Sequence, residues 1–139
     1  MEAKKIIITG GATRIGSAIA KSLAGYDVDI VIHFNKSKKS ALQLKTELEE
    51  IGSKVYLIKA DLSNINQVKK IVPFAYKKME GLDCLINNAS LFEKDDLENF
   101  SDKSFSKHVD INLKAPALLI KDFKRHVKNK EANIINIID

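Results

Sequence analysis

The 139 residues carry 23 basic and 18 acidic side chains, a net charge of +5, and 45% of them are hydrophobic, which permits a packed core and excludes wholesale disorder. The single cysteine excludes an internal disulfide framework, no apolar run reaches the roughly 20 residues of a membrane span, and the three isoleucines after Lys5 are too few for the core of a secretory signal. One domain over residues 1–139 is expected, in the cytoplasm, with no membrane and no nucleic-acid partner, because the lysines are dispersed and no basic block carries interleaved aromatics.

Short β-branched runs predict strands at residues 5–8, 28–34, 54–58, 83–86 and 133–138. Helical spacing fills the gaps. Ile15, Ile19 and Leu23 recur every four residues and lead to Gly25 as an end cap. Ala41, Leu44, Leu48 and Ile51 follow, with Ser37 as a helix start and Gly52 as the stop. Val68, Ile71, Val72, Ala75 and Met79 mark a third helix before Gly81, with Pro73 expected to kink it or delay its regular part. Phe105, Val109, Leu113, Ile120, Phe123 and Val127 predict one long fourth helix. Cys84, within a strand, reads as a buried small hydrophobe. The β-α-β alternation predicts an α/β fold, a Rossmann-type doubly wound parallel sheet with helices on both faces.

The first strand runs into Thr9-Gly10-Gly11-Ala12-Thr13-Arg14-Ile15-Gly16, a glycine-bearing turn that opens the first helix. Such a turn aims backbone N–H groups and the helix dipole at a phosphate. Taken alone it is equally an ordinary strand–helix turn, and it matches neither Gly-x-Gly-x-x-Gly nor a Walker loop. The end of the second strand, Ile32-His33-Phe34-Asn35-Lys36-Ser37-Lys38-Lys39, has no acid for a ribose hydroxyl and instead offers cations for an added phosphate. Read without context, it is also a solvated lysine cluster beside a capping serine. Asp61-Leu62 closes the third strand, where the acid also suits a helix cap. Asn87-Asn88-Ala89-Ser90 ends the fourth, at the sheet edge where open α/β folds bind ligands. Phe92 is placed either to stack on a flat heterocycle or to pack on the core. Asn112 falls on the apolar stripe of Val109, Leu113 and Phe123, so its amide is expected inside. Pro116 cannot donate to the carbonyl of residue 112, which leaves a free carbonyl or a simple kink.

These segments together resemble the short-chain dehydrogenases/reductases. The first loop is similar to their Thr-Gly-x-x-x-Gly-x-Gly, with Arg14 in place of the middle glycine, as in the Thr-Gly-Ala-Ala-Lys-Arg-Leu-Gly of the pteridine reductase branch. His33 to Ser37 resembles that branch's His-Tyr-His-Arg-Ser, and Asn87 to Ser90 the family's Asn-Asn-Ala-Gly, with Leu91 departing from the branch. The resemblance implies NADP(H) held by Gly10, Arg14, Ile15, Gly16, His33, Asn35, Lys36, Ser37, Asp61, Leu62, Asn88, Ala89 and Ser90, with Asp61 touching the adenine. It implies a small-molecule substrate, a pteridine-like heterocycle or a carbonyl, beside Ser90 and Phe92.

Catalytic roles fall by the same resemblance to Asn112, which bends its helix and holds a water, and to Asp139, which replaces the family's serine and suits proton delivery to a ring nitrogen. No metal site is expected: His33, His108 and His126 lie far apart in the sequence. The family's Tyr-x-x-x-Lys is absent, since Tyr26, Tyr56 and Tyr76 are followed four places on by Ile30, Ala60 and Glu80. The expected function is therefore an NADPH-dependent oxidoreductase nearest the pteridine reductases, inactive as these 139 residues alone. A 3-oxoacyl or carbonyl reductase and a non-catalytic NADP-binding fragment are the rival readings. The fifth strand reaches Asp139 without a following helix, so truncation there, an open strand edge and a homo-oligomer are expected.

Overall fold

A computed structural model describes residues 2–128 and 131–138. Five parallel strands, β1 (Lys4–Ile8), β2 (Val28–Phe34), β3 (Lys54–Lys59), β4 (Cys84–Asn87) and β5 (Asn133–Asn136), form one sheet in the order β3-β2-β1-β4-β5. The connections are α1 (Arg14–Leu23), α2 (Lys38–Glu50), α3 (Ile65–Met79), and then α4 (Asp102–Val109) and α5 (Ala115–His126) joined by a π-helical turn over Asp110–Lys114.

Alternation along the strands builds two cores. Ile6, Ile8, Ile30, Ile32 and Ile86 face α1 and α2, where Ala20, Ala41, Leu44 and Leu48 are buried. Ile7, Val31 and Leu85 face α3 and α5, against Val68, Ile71, Ala75, Leu119 and Phe123. Both faces of β1 to β4 are thereby covered, as their apolar residues require, while β5 is exposed along its length. The order places β2 and β4 on opposite sides of β1. Chain leaving β1 therefore faces chain leaving β4 across a gap at the carboxyl ends of the strands, the place where such sheets take ligands.

Several expectations change. α3 runs unbroken from Ile65 through Pro73, because the proline and Lys69, whose carbonyl loses its partner, both lie on the exposed face where water replaces the bond. Asn64, not Asp61, caps this helix, accepting from the N–H groups of Asn66 and Gln67 at 3.0 and 3.3 Å. Glu80, in the left-handed region with φ 57°, ends it in place of Gly81. Ser37 precedes α2 but makes no side-chain cap bond.

The long fourth helix is two helices around the π turn, in which the Ala115 N–H reaches back five residues to the Asp110 carbonyl. That turn sits where Pro116 denies residue 112 its ordinary partner, and the extra residue rotates the stripe. Phe105 and Leu113 consequently face outward. Ile15 is 60% exposed and so leaves the apolar stripe of α1. Cys84 is half-buried against the first core, and that burial pushes its thiol pKa upward.

Candidate functional site

The loop after β1 and the loop after β4 are sewn together before anything else is built. The Thr9 hydroxyl accepts from the N–H groups of Asn88 and Ala89, both at 3.0 Å. The Asn88 amide donates to the carbonyls of Thr9 and Gly10 at 3.0 and 3.1 Å. Gly10 has φ +60°, and a Cβ there would lie 2.9 Å from the Ala89 Cα. A left-handed turn and a close backbone approach both require glycine at this position. Asn88 therefore spends its donors on the loop; its contribution to a ligand is to hold the wall.

His33 ties the third partner in. It is 2% exposed at the end of β2; its Nδ1 accepts from the Gly10 N–H at 3.1 Å and its Nε2–H donates to the Ala60 carbonyl at 2.9 Å. Both ring nitrogens are engaged with backbone, so the ring braces the loop. Burial holds its pKa below the ordinary value of 6.5. The sign follows directly. The folded pKa is the lower one, so as pH falls through about 6.5 the unfolded chain takes the proton first and stability is lost. Each tenfold difference in proton affinity is worth about 1.4 kcal/mol. The fall in melting temperature between neutral and mildly acid pH is expected to be larger in the parent than in His33→Gln; equal falls would show that this ring is not a pH-sensitive brace.

These ties frame a cleft of about 600 Å³ at the gap between the two loops, and its lining includes Gly10, Arg14, Ile15, His33, Asn35, Leu62, Asn88, Ala89 and Ser90. Nine of the residues singled out in the sequence thus meet in one place. Gly16, Lys36, Ser37 and Asp61 are not among its lining residues. Gly16 is buried under Gly10 and Asn88. Lys36 follows Asn35 into solvent, and its charge reaches the Asp61 carboxylate. Asp61 accepts from the hydroxyl and N–H of Ser63 at 2.7 and 2.9 Å, and these two bonds hold its carboxyl below the usual range.

Arg14 is backed by none of this. It is a non-glycine residue at φ 52°, a conformation that costs roughly 1 kcal/mol without a glycine. Among the described residues no ion pair uses Arg14 or Lys36. Among the described residues no carboxylate belongs to the cleft lining. The site offers a glycine cradle at a helix N-terminus and an unpaired cation, Arg14, in its lining, a fit for a phosphate-bearing nucleotide.

A second cleft of about 720 Å³, mostly apolar, adjoins the first through Ala89, Ser90 and Leu91 and includes Phe92, His108, Asn112, Pro116 and Ile120. Phe92 is 82% exposed at its rim, so it does not pack on the core. The Asn112 side chain does not point into the core either; it grips the Leu91 backbone, donating to its carbonyl at 2.8 Å and accepting from its N–H at 2.7 Å. Asp139 lies outside the described residues. The sequence reading missed Thr13, Ile111, Ile137 and Ile138 in the first cleft, and the Thr9 cross-link. It carried no local signal for contacts between residues some 80 positions apart.

Residues 4–138 match the family model described as short chain dehydrogenase. The chain belongs to that family. An uncharacterized oxidoreductase of Methylorubrum extorquens is 28% identical over 137 residues, 99% of this chain and 55% of that protein. A short-chain dehydrogenase of Burkholderia cenocepacia, solved in complex with NADP, superposes with a TM-score of 0.93 at 28% identity, over 97% of this chain and 55% of that one. The FolM alternative dihydrofolate reductase 1 of Brucella canis, also complexed with NADP, gives 0.89 at 30% identity, over 96% and 55%. The chain spans about half the length of the curated relatives it matches. Among the described residues no helix is long and apolar enough to cross a membrane, and no group of His, Cys, Asp and Glu could hold a metal.

Proposed function

We propose that this chain is the NADP(H)-holding half of a short-chain oxidoreductase that reduces a pteridine-like heterocycle. The observation that carries the cofactor is the unpaired Arg14 in a cleft whose described lining holds no carboxylate, with the exposed Lys36 next to its lining residue Asn35. Gly10 and Gly16 let the dinucleotide phosphates approach the backbone, and Arg14 meets their charge. Asn35, Lys36 and Ser37 take the phosphate that distinguishes NADP from NAD. Asp61 and Leu62 hold the adenine, and Ala89 with Ser90 leaves room for a flat ring. When bound, the nicotinamide supplies the hydride. Phe92 stacks the substrate at the rim of the apolar cleft, Asn112 fixes the loop that carries it, and Asp139 assists proton delivery.

The pterin reading is supported by the likeness to the Brucella canis dihydrofolate reductase and by an exposed aromatic beside the cleft. The NADP-bound neighbours support the cofactor. The binding partner is a small molecule, and the protein is a homo-oligomer.

NADPH is expected to bind more tightly than NADH by about 1–3 kcal/mol, the worth of charge-assisted phosphate contacts. Replacing Lys36 and Ser37 together by alanine removes most of that difference and leaves NADH binding in place. Cofactor fluorescence titrations read both. Equal affinities in the parent chain would sink the assignment.

A further inference from the structure

The loop leaving β4 does not merely wander to α4. Three of its alternate residues are tied to one row of the helical segment that follows, in reversed order. Leu91 pairs with Asn112 through two bonds of 2.7 and 2.8 Å. The Glu93 N–H donates to His108 Nε2 at 3.1 Å. Asp95 accepts from the Ser104 hydroxyl at 2.6 Å. The spacing explains the match: two residues of extended chain advance about 6.6 Å, four residues of helix about 6 Å. Phe92, between two tied residues, stands out at the rim of the apolar cleft.

The middle tie has a fixed protonation requirement. His108 Nδ1–H donates to the Ser104 carbonyl at 2.8 Å, so the ring's one remaining lone pair, on Nε2, receives the Glu93 N–H. A proton on Nε2 would set N–H against N–H. Of the charged groups nearby, Glu93 on the loop acts on His108 and is itself acted on by Lys107 on the same helix and by Lys36 from the turn after β2, while Asp95 is bound to Ser104 one turn back. Lys107 pairs with the Glu93 carboxylate at 2.6 Å, and Lys36 acts on that same carboxylate. The Glu93 carboxylate is thus already engaged by a lysine.

We infer that residues 91–95 form a strap held in register by Ser104, His108 and Asn112, and that His108 is a positioning residue which keeps Phe92 at the cleft rim only while its Nε2 is unprotonated. The strap stands on the hydrogen bonds alone; what Phe92 meets there rests on the pterin reading above.

The test uses the isotopically labelled chain and His108→Gln, whose terminal amide oxygen can accept near the Nε2 position and cannot titrate. In the parent, the exchange-protection factor of the Glu93 amide is expected to fall at least about tenfold between pH about 7.5 and an acid pH at which the ring nitrogen shifts show His108 protonated. In the variant it stays, and the Leu91 amide keeps its protection in both. Protection that ignores pH in the parent, or falls equally in His108→Gln, overturns the strap. The ring nitrogen shifts of His108 give an independent reading: protonation that does not coincide with loss of Glu93 protection also overturns it. Dihydrofolate affinity of the NADPH-saturated chain, read in the same samples, is expected to fall with the Glu93 protection. Affinity that is unchanged while the Glu93 amide opens overturns the link to Phe92. Absence of dihydrofolate binding at either pH overturns the substrate reading and leaves the strap standing.

Discussion

Replacing Gly16 by valine is expected to cost about 2–3 kcal/mol of stability and to remove measurable NADPH binding. A Cβ on this residue would overlap the Gly10 carbonyl oxygen and lie 2.6 Å from Asn88 Nδ2 and 2.8 Å from the Gly11 Cα. Two of these three atoms are backbone and the third is a donor already committed to Gly10 and Thr9, so nothing in the contact can yield cheaply. Relief requires α1 to lift away from both loops. That would separate the walls of the cleft and break the bonds between Asn88 and the β1 loop. Gly81→Ala supplies the contrast, since the added carbon meets only the flexible end of Lys5 at 3.2 Å or beyond. It should change stability by less than about 0.5 kcal/mol. Thermal melting and cofactor fluorescence measure the pair, and a Gly16→Val chain that melts and binds like the parent would show that the loops are not locked through this point.

The first four strands and the first three helices were legible because each buries an apolar set, and periodicity records burial, whereas β5 is exposed throughout and was legible from its isoleucines alone. Ile6, Ile8, Ile30 and Ile32 alternate with Ile7 and Val31 in the sequence as they do between the two cores. The fourth helix was misread for a definable reason. A π turn adds a residue without changing composition, so Phe105 and Leu113 sit at core spacing in the sequence and face water in the fold. Asn64-Ile65-Asn66-Gln67 carried a capping signal that was passed over in favour of Asp61. Gln67 in turn accepts from the Asp61 N–H at 2.7 Å, a contact that ties the helix start to the cleft.

The candidate site was legible as a set of positions and illegible as a set of roles. The resemblance brought His33 and Asn88 to the cleft, yet their polar atoms are used on backbone. A motif states which residue stands where. Hydrogen-bond bookkeeping over long sequence separations states what remains free to touch a ligand. By that bookkeeping Arg14 is the residue at the cleft mouth left with charge to give, and its strained backbone marks it as held there by its surroundings.

The 139 residues are expected to bind NADPH and to show no steady oxidation of it with dihydrobiopterin or dihydrofolate. Reducing a ring C=N adds a hydride and a proton, and a positioned acid of matched pKa contributes on the order of a hundredfold to ten-thousandfold to such a step. None of the three tyrosines stands at either cleft. Tyr26 precedes β2 at the amino ends of the strands. Tyr56 lies within β3, packed on the second core. Tyr76 lies on α3, its ring 5.5 Å from that of His126. The acids that do stand near are committed. His33 donates its one proton to the Ala60 carbonyl in a buried pocket that disfavours a second. His108 presents a bare nitrogen to Glu93. Asp61 is held ionised by Ser63. None of His33, His108 and Asp61 is therefore left holding a transferable proton over the cleft at neutral pH. The measurement is the decay of NADPH absorbance with each substrate, run beside light scattering on the same sample. Turnover that persists through many equivalents of substrate would show that a competent proton donor is present in these residues.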